Sequence, residues 1–380
     1  LPTNQKATII SAMKFLLAIF LSLAAVASAK QERFYLGTYT KGLSKGIYTG
    51  TLETTTGIIS PLLLAATTKD PSFLALSPDR NFLYCTTANK SGGVVGTVEA
   101  FSVQADGQLT MLNELPCGSD CAHISVDATG RDVFAPSYAE ANLMAFQTKP
   151  DGSLDRRTAF FHITGSGPNH DRQSQSHPHS MYPDPENRHV YACDLGTDNI
   201  LIYDLDAATG ALTPANPPSA QISPGGGPRH LAFSPDGRFV YVNGEMGLNV
   251  TVFERHPATG ALTPIQTVST MPPGADSSGV TTAEIFCHPS GKWLYVSNRG
   301  RGSIAVYAIG SDGRLTWVQD APAEVKVPRG MGIDPTGQWL IAGDQTGNKI
   351  SVLKVDQMTG KISPTGQIVT VGAPVCVIFD

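Results

Sequence analysis

Charge is sparse in this chain. Asp, Glu, Lys and Arg together make up 16% of 380 residues, the net charge is −5, and no basic stripe runs along any segment. Nucleic acid is therefore not an expected partner. Cysteine is scarce as well: there are six, none at the Cys-x-x-Cys spacing of a structural zinc site. No strand-to-helix elbow of the Gly-x-Ser-x-Gly kind is evident, so a serine-nucleophile hydrolase gains no support. Gly165-Ser-Gly167 lacks the residues that would continue a phosphate-cradling loop. The apolar run Phe15 to Val26 is too short for a comfortable membrane span.

That run has another reading. Met13-Lys14 precedes it and Ala27-Ser28-Ala29 follows, the pattern of a secretory signal released after Ala29. The expectation is an upstream and signal segment at 1–29, and an exported mature domain at 30–380 without a membrane span, in the periplasm or outside the cell. In an exported chain Cys117 and Cys121, four residues apart in one loop, either pair or remain thiols; so short a loop leaves both open. Cys85, Cys193, Cys287 and Cys376 fall in predicted strands and read as small buried hydrophobes.

What the chain does have is a repeat. A short β-rich phrase recurs seven times, centred on Tyr35, Tyr84, Phe134, Tyr191, Tyr241, Tyr295 and Ile341, at intervals of 46 to 57 residues. A period near fifty with strand content marks a radial β array. The clearest unit predicts four strands at 229–233, 239–243, 249–254 and 261–268, here named A to D from the inside outward. Ser234-Pro-Asp-Gly237 forms the A–B hairpin, because proline presets φ and glycine supplies φ > 0. The first unit starts at strand B, while Ala373 to Phe379 reads as an A strand without a B. The fold class is therefore all-β: a seven-bladed propeller of four-stranded antiparallel blades, its first blade completed by the C-terminal strand. Closure of this kind removes open sheet edges.

In such a ring the start of strand A and the end of strand B share one face beside the central channel. Four successive blades place ionisable groups there: His179 with Asp194, Arg229 with Glu245, Glu284 with Arg299, and Arg329 with Asp344. The longest connections, His162–His177 and Met271–Ala283, reach the same face and can wall a pocket. Guanidinium groups suit a phosphate or carboxylate ligand. The alternative is a channel of structural ion pairs. His162, His170, His177 and His179 invite a metal reading, but no carboxylate or Cys spacing completes a ligand set, so no metal is expected.

At these residues the chain resembles the 6-phosphogluconolactonase family of the seven-bladed lactonase type, itself similar to carboxy-muconate lactonizing enzyme. The phrases that carry the resemblance are Phe34-Tyr-Leu-Gly-Thr-Tyr39, His177-Pro-His-Ser180, Asp194-Leu-Gly-Thr-Asp198, Gly227-Pro-Arg-His-Leu-Ala-Phe233 and Pro328-Arg-Gly330. It spans about Phe34 to Phe379. The resemblance implies a site of one His, two Arg and one Glu, which fall on His179, Arg229, Arg299 and Glu245. Arg229, Arg299, Arg329, Asp194 and His177 are expected to bind or orient the substrate.

The implied reaction is hydrolysis of a sugar δ-lactone, with 6-phosphogluconolactone the leading substrate. His179 or Glu245 takes a proton from water, and the arginines hold negative charge. No organic cofactor or metal is required, the partner is a small anionic lactone, and the protein is expected to be a monomer. Two alternatives stand beside this reading. One is a related enzyme that closes or opens lactones of carboxylated acids such as muconates. The other is a non-catalytic propeller that binds a ligand in the envelope.

Overall fold

The computed structural model describes residues 30–87 and 96–380. The expected signal segment lies outside them. Seven four-stranded antiparallel sheets account for the described residues, and each is traversed from the centre outward in the order A-B-C-D. Blade 5 runs Pro228–Phe233, Phe239–Gly244, Asn249–Arg255 and Leu262–Ser269, within one residue of the bounds read from sequence. Among the described residues no helix is long and apolar enough to cross a membrane.

The ring closes where Pro374–Phe379 takes the A position of blade 1 against Gln31–Thr38, in a register from Phe34 opposite Phe379 to Thr38 opposite Pro374. The first and last parts of the domain thus share one sheet, and blade 1 gains the same four strands as the other blades.

Burial follows from position in the blade. B strands such as His189–Asp194 and Phe239–Gly244 are buried on both faces, and their sequences are near-continuous apolar runs. D strands such as Leu262–Ser269 are largely exposed, and Thr and Pro enter them. Seven apolar clusters follow, each joining two neighbouring blades. Tyr295, Ile304 and Val306 of blade 6, for example, meet Met331, Leu340 and Leu353 of blade 7. A buried Val or Leu is worth about 1.5–3 kcal/mol, so inter-blade faces carry most of the cohesion.

A polar latch repeats on the same faces. The B-strand tyrosine donates its hydroxyl to the carbonyl of a glycine in the next blade's C–D turn. The distances are 2.9 Å for Tyr84 to Gly152, 2.8 Å for Tyr191 to Gly260, 3.1 Å for Tyr241 to Gly313 and 2.9 Å for Tyr295 to Gly360. Those glycines have φ between 69° and 81°, where a Cβ would be strained, and a Cβ there would also strike the first ring of the preceding B strand.

Cys85, Cys193 and Cys376 are buried thiols in strands, and Cys287 is half-buried. Cys117 and Cys121 are joined as a disulfide, with their Cα atoms 6.6 Å apart.

Candidate active site

One face of the ring holds a cavity of about 420 Å³ whose lining includes His179, Glu245, Arg299, Arg329, Arg172 and Tyr138. Its chemistry begins with a backbone irregularity. The ladder between strands A and B breaks just after the proline that opens A, at Pro178/Ser180, Pro228/Leu231 and Pro328/Gly330. His179, Arg229, His230 and Arg329 are the residues left out of register. A bulge re-aims side chains, and here it turns them toward the channel.

Blade 6 shows the same device between Thr282 and Ile285, leaving Ala283 and Glu284 unpaired. Ala283 therefore holds the place of Arg229, and Glu284 that of His230. This corrects the sequence reading, which put Glu284 on the rim opposite Arg299; Thr281 is the residue opposite Arg299. Glu284 lies deeper, accepts from His230 Nδ1 at 2.8 Å, and lines a separate cavity of about 730 Å³ at the other mouth with Phe73, Tyr182, Phe233 and Phe286. Between the two mouths the rings of His179, His230 and His123 follow one another at 5.0 and 5.3 Å and fill the channel.

Glu245 is the hub of the upper cavity. Its Oε2 lies 3.1 Å from Arg229 Nε and 3.0 Å from Arg299 Nη2, and its Oε1 accepts from Arg172 Nη2 at 2.8 Å. The Arg229 contact is an ion pair whose Nε–H is not aligned as a hydrogen bond. Burial alone would raise the Glu245 carboxyl, but the guanidiniums of Arg299, Arg229 and Arg172 outweigh it and hold the group at about 2. It is a permanent anion, poorly suited to accept a proton near neutrality.

Arg229 stands behind the cavity rather than in its lining. It is 2% exposed and donates through Nη1 to the Ala283 carbonyl at 2.5 Å. Burial, with Arg329 and Arg299 nearby, lowers it to about 9, so it stays charged at pH 7. Arg299 is fixed by a 2.9 Å bond to the Thr282 carbonyl. Arg329 places its guanidinium 5.8 Å from the centre of the Tyr39 ring.

His179 lines the cavity, 4% exposed, and its Nδ1 is buried without a partner. Burial first, then Arg229, His230 and Arg329, push it well below the ordinary histidine range. Near neutral pH it is therefore held as the uncharged imidazole.

Asp194 and His177 are brought near this site but do not line the cavity. Asp194 accepts from Ser176 Oγ and Thr197 Oγ1 at 2.8 Å, from His177 N at 2.7 Å and from Gly196 N at 3.0 Å, which ties the start of strand A to the end of B. Asp344 does the same work in blade 7, accepting from Lys326, Val327, Thr346 and Gly347 backbone amides. His177 stacks on Tyr138 at 4.4 Å and bonds its carbonyl through Nδ1 at 2.9 Å.

Arg172 and Tyr138 escaped the sequence reading. Arg172 sits in the long 162–177 connection, which the spacing had marked, but only the folded loop shows which of its residues turns inward. Gln173 beside it is fully buried and bonds Leu195 O and Asp198 Oδ1 at 2.8 and 2.7 Å, which pins the loop. Gly42-Leu-Ser-Lys-Gly46 has the letters of a nucleophile elbow. It is a hairpin between two strands of blade 1, with Ser44 Oγ buried 2.5 Å from Thr38 Oγ1, so it is no elbow. Among the described residues, no three His, Cys, Asp or Glu side chains group as metal ligands.

Residues 33–379 match the family model described as lactonase, 7-bladed beta-propeller. The chain belongs to the seven-bladed lactonase family. It is 35% identical over 348 residues to the 6-phosphogluconolactonase of Bacillus subtilis (strain 168), covering 91% of this chain and 97% of that one. A 6-phosphogluconolactonase of Formosa agariphila is 29% identical over 340 residues, covering 88% and 95%. Among solved structures, the periplasmic gluconolactonase of Pseudomonas aeruginosa superposes with a TM-score of 0.86 at 28% identity, covering 92% and 99%. As a member of the lactonase family the protein is a lactone hydrolase.

Proposed function

We propose that the upper cavity hydrolyses the δ-lactone of a sugar acid, with 6-phosphogluconolactone the leading substrate. One observation carries this reading: three guanidiniums, those of Arg172, Arg229 and Arg299, meet the ionised Glu245 carboxylate, while Arg329 and the neutral His179 line the same cavity. The excess positive charge favours an anionic ligand and an oxyanion.

In the proposed reaction, water attacks the lactone carbonyl and gives up a proton to His179. The carbonyl oxygen becomes an oxyanion beside Arg299 and Arg329. Collapse breaks the ring C–O bond, and His179 returns the proton to the departing ring oxygen, leaving the open hydroxy acid. Glu245, too acidic to act as base, keeps Arg299 in place, and Arg229 holds Glu245 from behind.

A second reading is favoured by the leader-like segment at 13–29 together with the likeness to a periplasmic gluconolactonase. Export would separate the enzyme from phosphorylated sugars of the cytosol, and an unphosphorylated gluconolactone would then be the substrate. A panel of 6-phosphogluconolactone, glucono-δ-lactone and a muconolactone, with spontaneous opening subtracted, decides among these. His179→Ala is expected to lower kcat on the preferred lactone by about 10²–10⁴-fold. Wild-type turnover no faster than buffer across the panel would reject the proposal and leave the binding propeller.

A further inference from the structure

We propose that Arg172 is the residue that selects anionic over neutral lactones, by binding a phosphate or carboxylate substituent remote from the ester being cleaved. The inference rests on the lactonase reading of the cavity and names the substrate class within it.

The argument starts from how each arginine is held. Arg229 is buried and the Arg299 side chain is 13% exposed, and each has a backbone carbonyl as a second anchor, from Ala283 and Thr282 respectively. Each is thus held at two points. The Arg172 side chain is 40% exposed, and its two side-chain contacts are Glu245 Oε1 at 2.8 Å and a long 3.4 Å approach to the Tyr138 hydroxyl. It projects from the 162–177 connection rather than from a propeller strand, while buried Gln173 fixes the loop beneath it.

Charge supplies the second step. Glu245 carries one negative charge and meets three guanidiniums. If Arg172 departs, Glu245 keeps Arg229 and Arg299 on Oε2, so the buried carboxylate is not stranded. An arriving dianion therefore exchanges one of Arg172's partners for another, at little cost to the hub. A planar guanidinium offers a phosphate or carboxylate two parallel N–H donors, geometry that a lysine ammonium lacks. A neutral lactone offers it nothing comparable, and Arg172 then remains on Glu245.

The test compares wild type, Arg172→Gln and Arg172→Lys in the full chain. The ratio of kcat/KM for 6-phosphogluconolactone to that for glucono-δ-lactone is expected to fall about 10–100-fold in Arg172→Gln, chiefly through KM, with partial recovery in Arg172→Lys. Calorimetric affinity for the product 6-phosphogluconate should fall by a similar factor, and affinity for gluconate much less. Equal losses on both lactones would show that Arg172 only braces Glu245, and unchanged kcat/KM on both would show that it does neither; each result overturns the assignment. Product binding separates this idea from the proposed reaction. A wild type that binds 6-phosphogluconate through Arg172 but opens no lactone sinks the hydrolase and keeps the anion site.

Discussion

Arg229 Nε and Glu245 Oε2 stand 3.1 Å apart within one blade, the arginine at the bulge that opens strand A and the glutamate just past the end of strand B. Both side chains are at least nine-tenths buried. Burying a charge pair is costly, and removing one member leaves the other unpaired at greater cost.

Glu245→Gln is therefore expected to destabilise the fold by about 3–5 kcal/mol near neutral pH, read from urea unfolding midpoints. Its pH dependence carries a sign. The folded-state carboxyl sits at about 2, below its ordinary 4.5. Its stabilisation is present above about pH 4.5 and is lost as pH falls toward 2. The gap between wild type and variant should close over that window. A gap that is constant with pH would mean that the carboxylate's charge is not what the arginines use.

The pH profile of turnover bears on His179. Its protonation lies well below the ordinary histidine range because burial, Arg229, His230 and Arg329 all oppose the cation. The neutral base thus persists as pH falls through 6.5, and kcat/KM should hold its plateau there and drop only at distinctly lower pH. A limb in kcat/KM at or above pH 6.5 would assign the base elsewhere. Spontaneous opening must be subtracted at each pH.

Much of the ring was legible because its information is local. Proline and glycine in the A–B hairpins and tyrosine in B each act within a few residues, so blade 5 could be bounded to within one residue. The unmatched B strand at Phe34 and the unmatched A strand at Val375 predicted the closure. The site was only partly legible, for two physical reasons. Bulge length sets which of two adjacent residues faces the rim, and no local propensity encodes it; thus Glu284, in phase with His230, was misplaced. Arg172 reaches Glu245 across 73 positions of chain, through a loop whose path depends on buried Gln173. Asp194 caps four donors, a use its place at the rim does not reveal, because a rim carboxylate has the same letters whether it meets substrate or neighbouring donors.

The tyrosine latch between blades predicts a modest and specific cost. In Tyr241→Phe the ring still packs, but the Gly313 carbonyl loses the donor 3.1 Å away. Leaving that buried acceptor unpaired should destabilise by about 1–2 kcal/mol. Lactone turnover at 25 °C should be retained, because the latch lies away from the cavity lining. A Tyr241→Phe protein as stable as wild type would reduce the recurring contact to coincidence of packing.

Asp132 breaks the pattern at the start of strand B, where other blades place Phe82, His189, Phe239, Trp293 and Trp339 against the next blade's turn glycine. It faces the equivalent turn glycine, Gly210, but with a carboxylate in place of a ring, both carboxyl oxygens buried without a partner. Burial, helped by Asp127, raises it from 3.8 to about 7. A carboxyl raised on folding binds its proton more tightly in the native state, so folding loses stability as pH climbs from about 4 to 7. Asp132→Asn has no proton to lose. It should be more stable than wild type above pH 7, with the difference shrinking as pH falls toward 4, measured by urea unfolding at each pH. A variant less stable than wild type at pH 8 would mean that the ionised carboxylate is held by a donor and is not a burden on this blade junction.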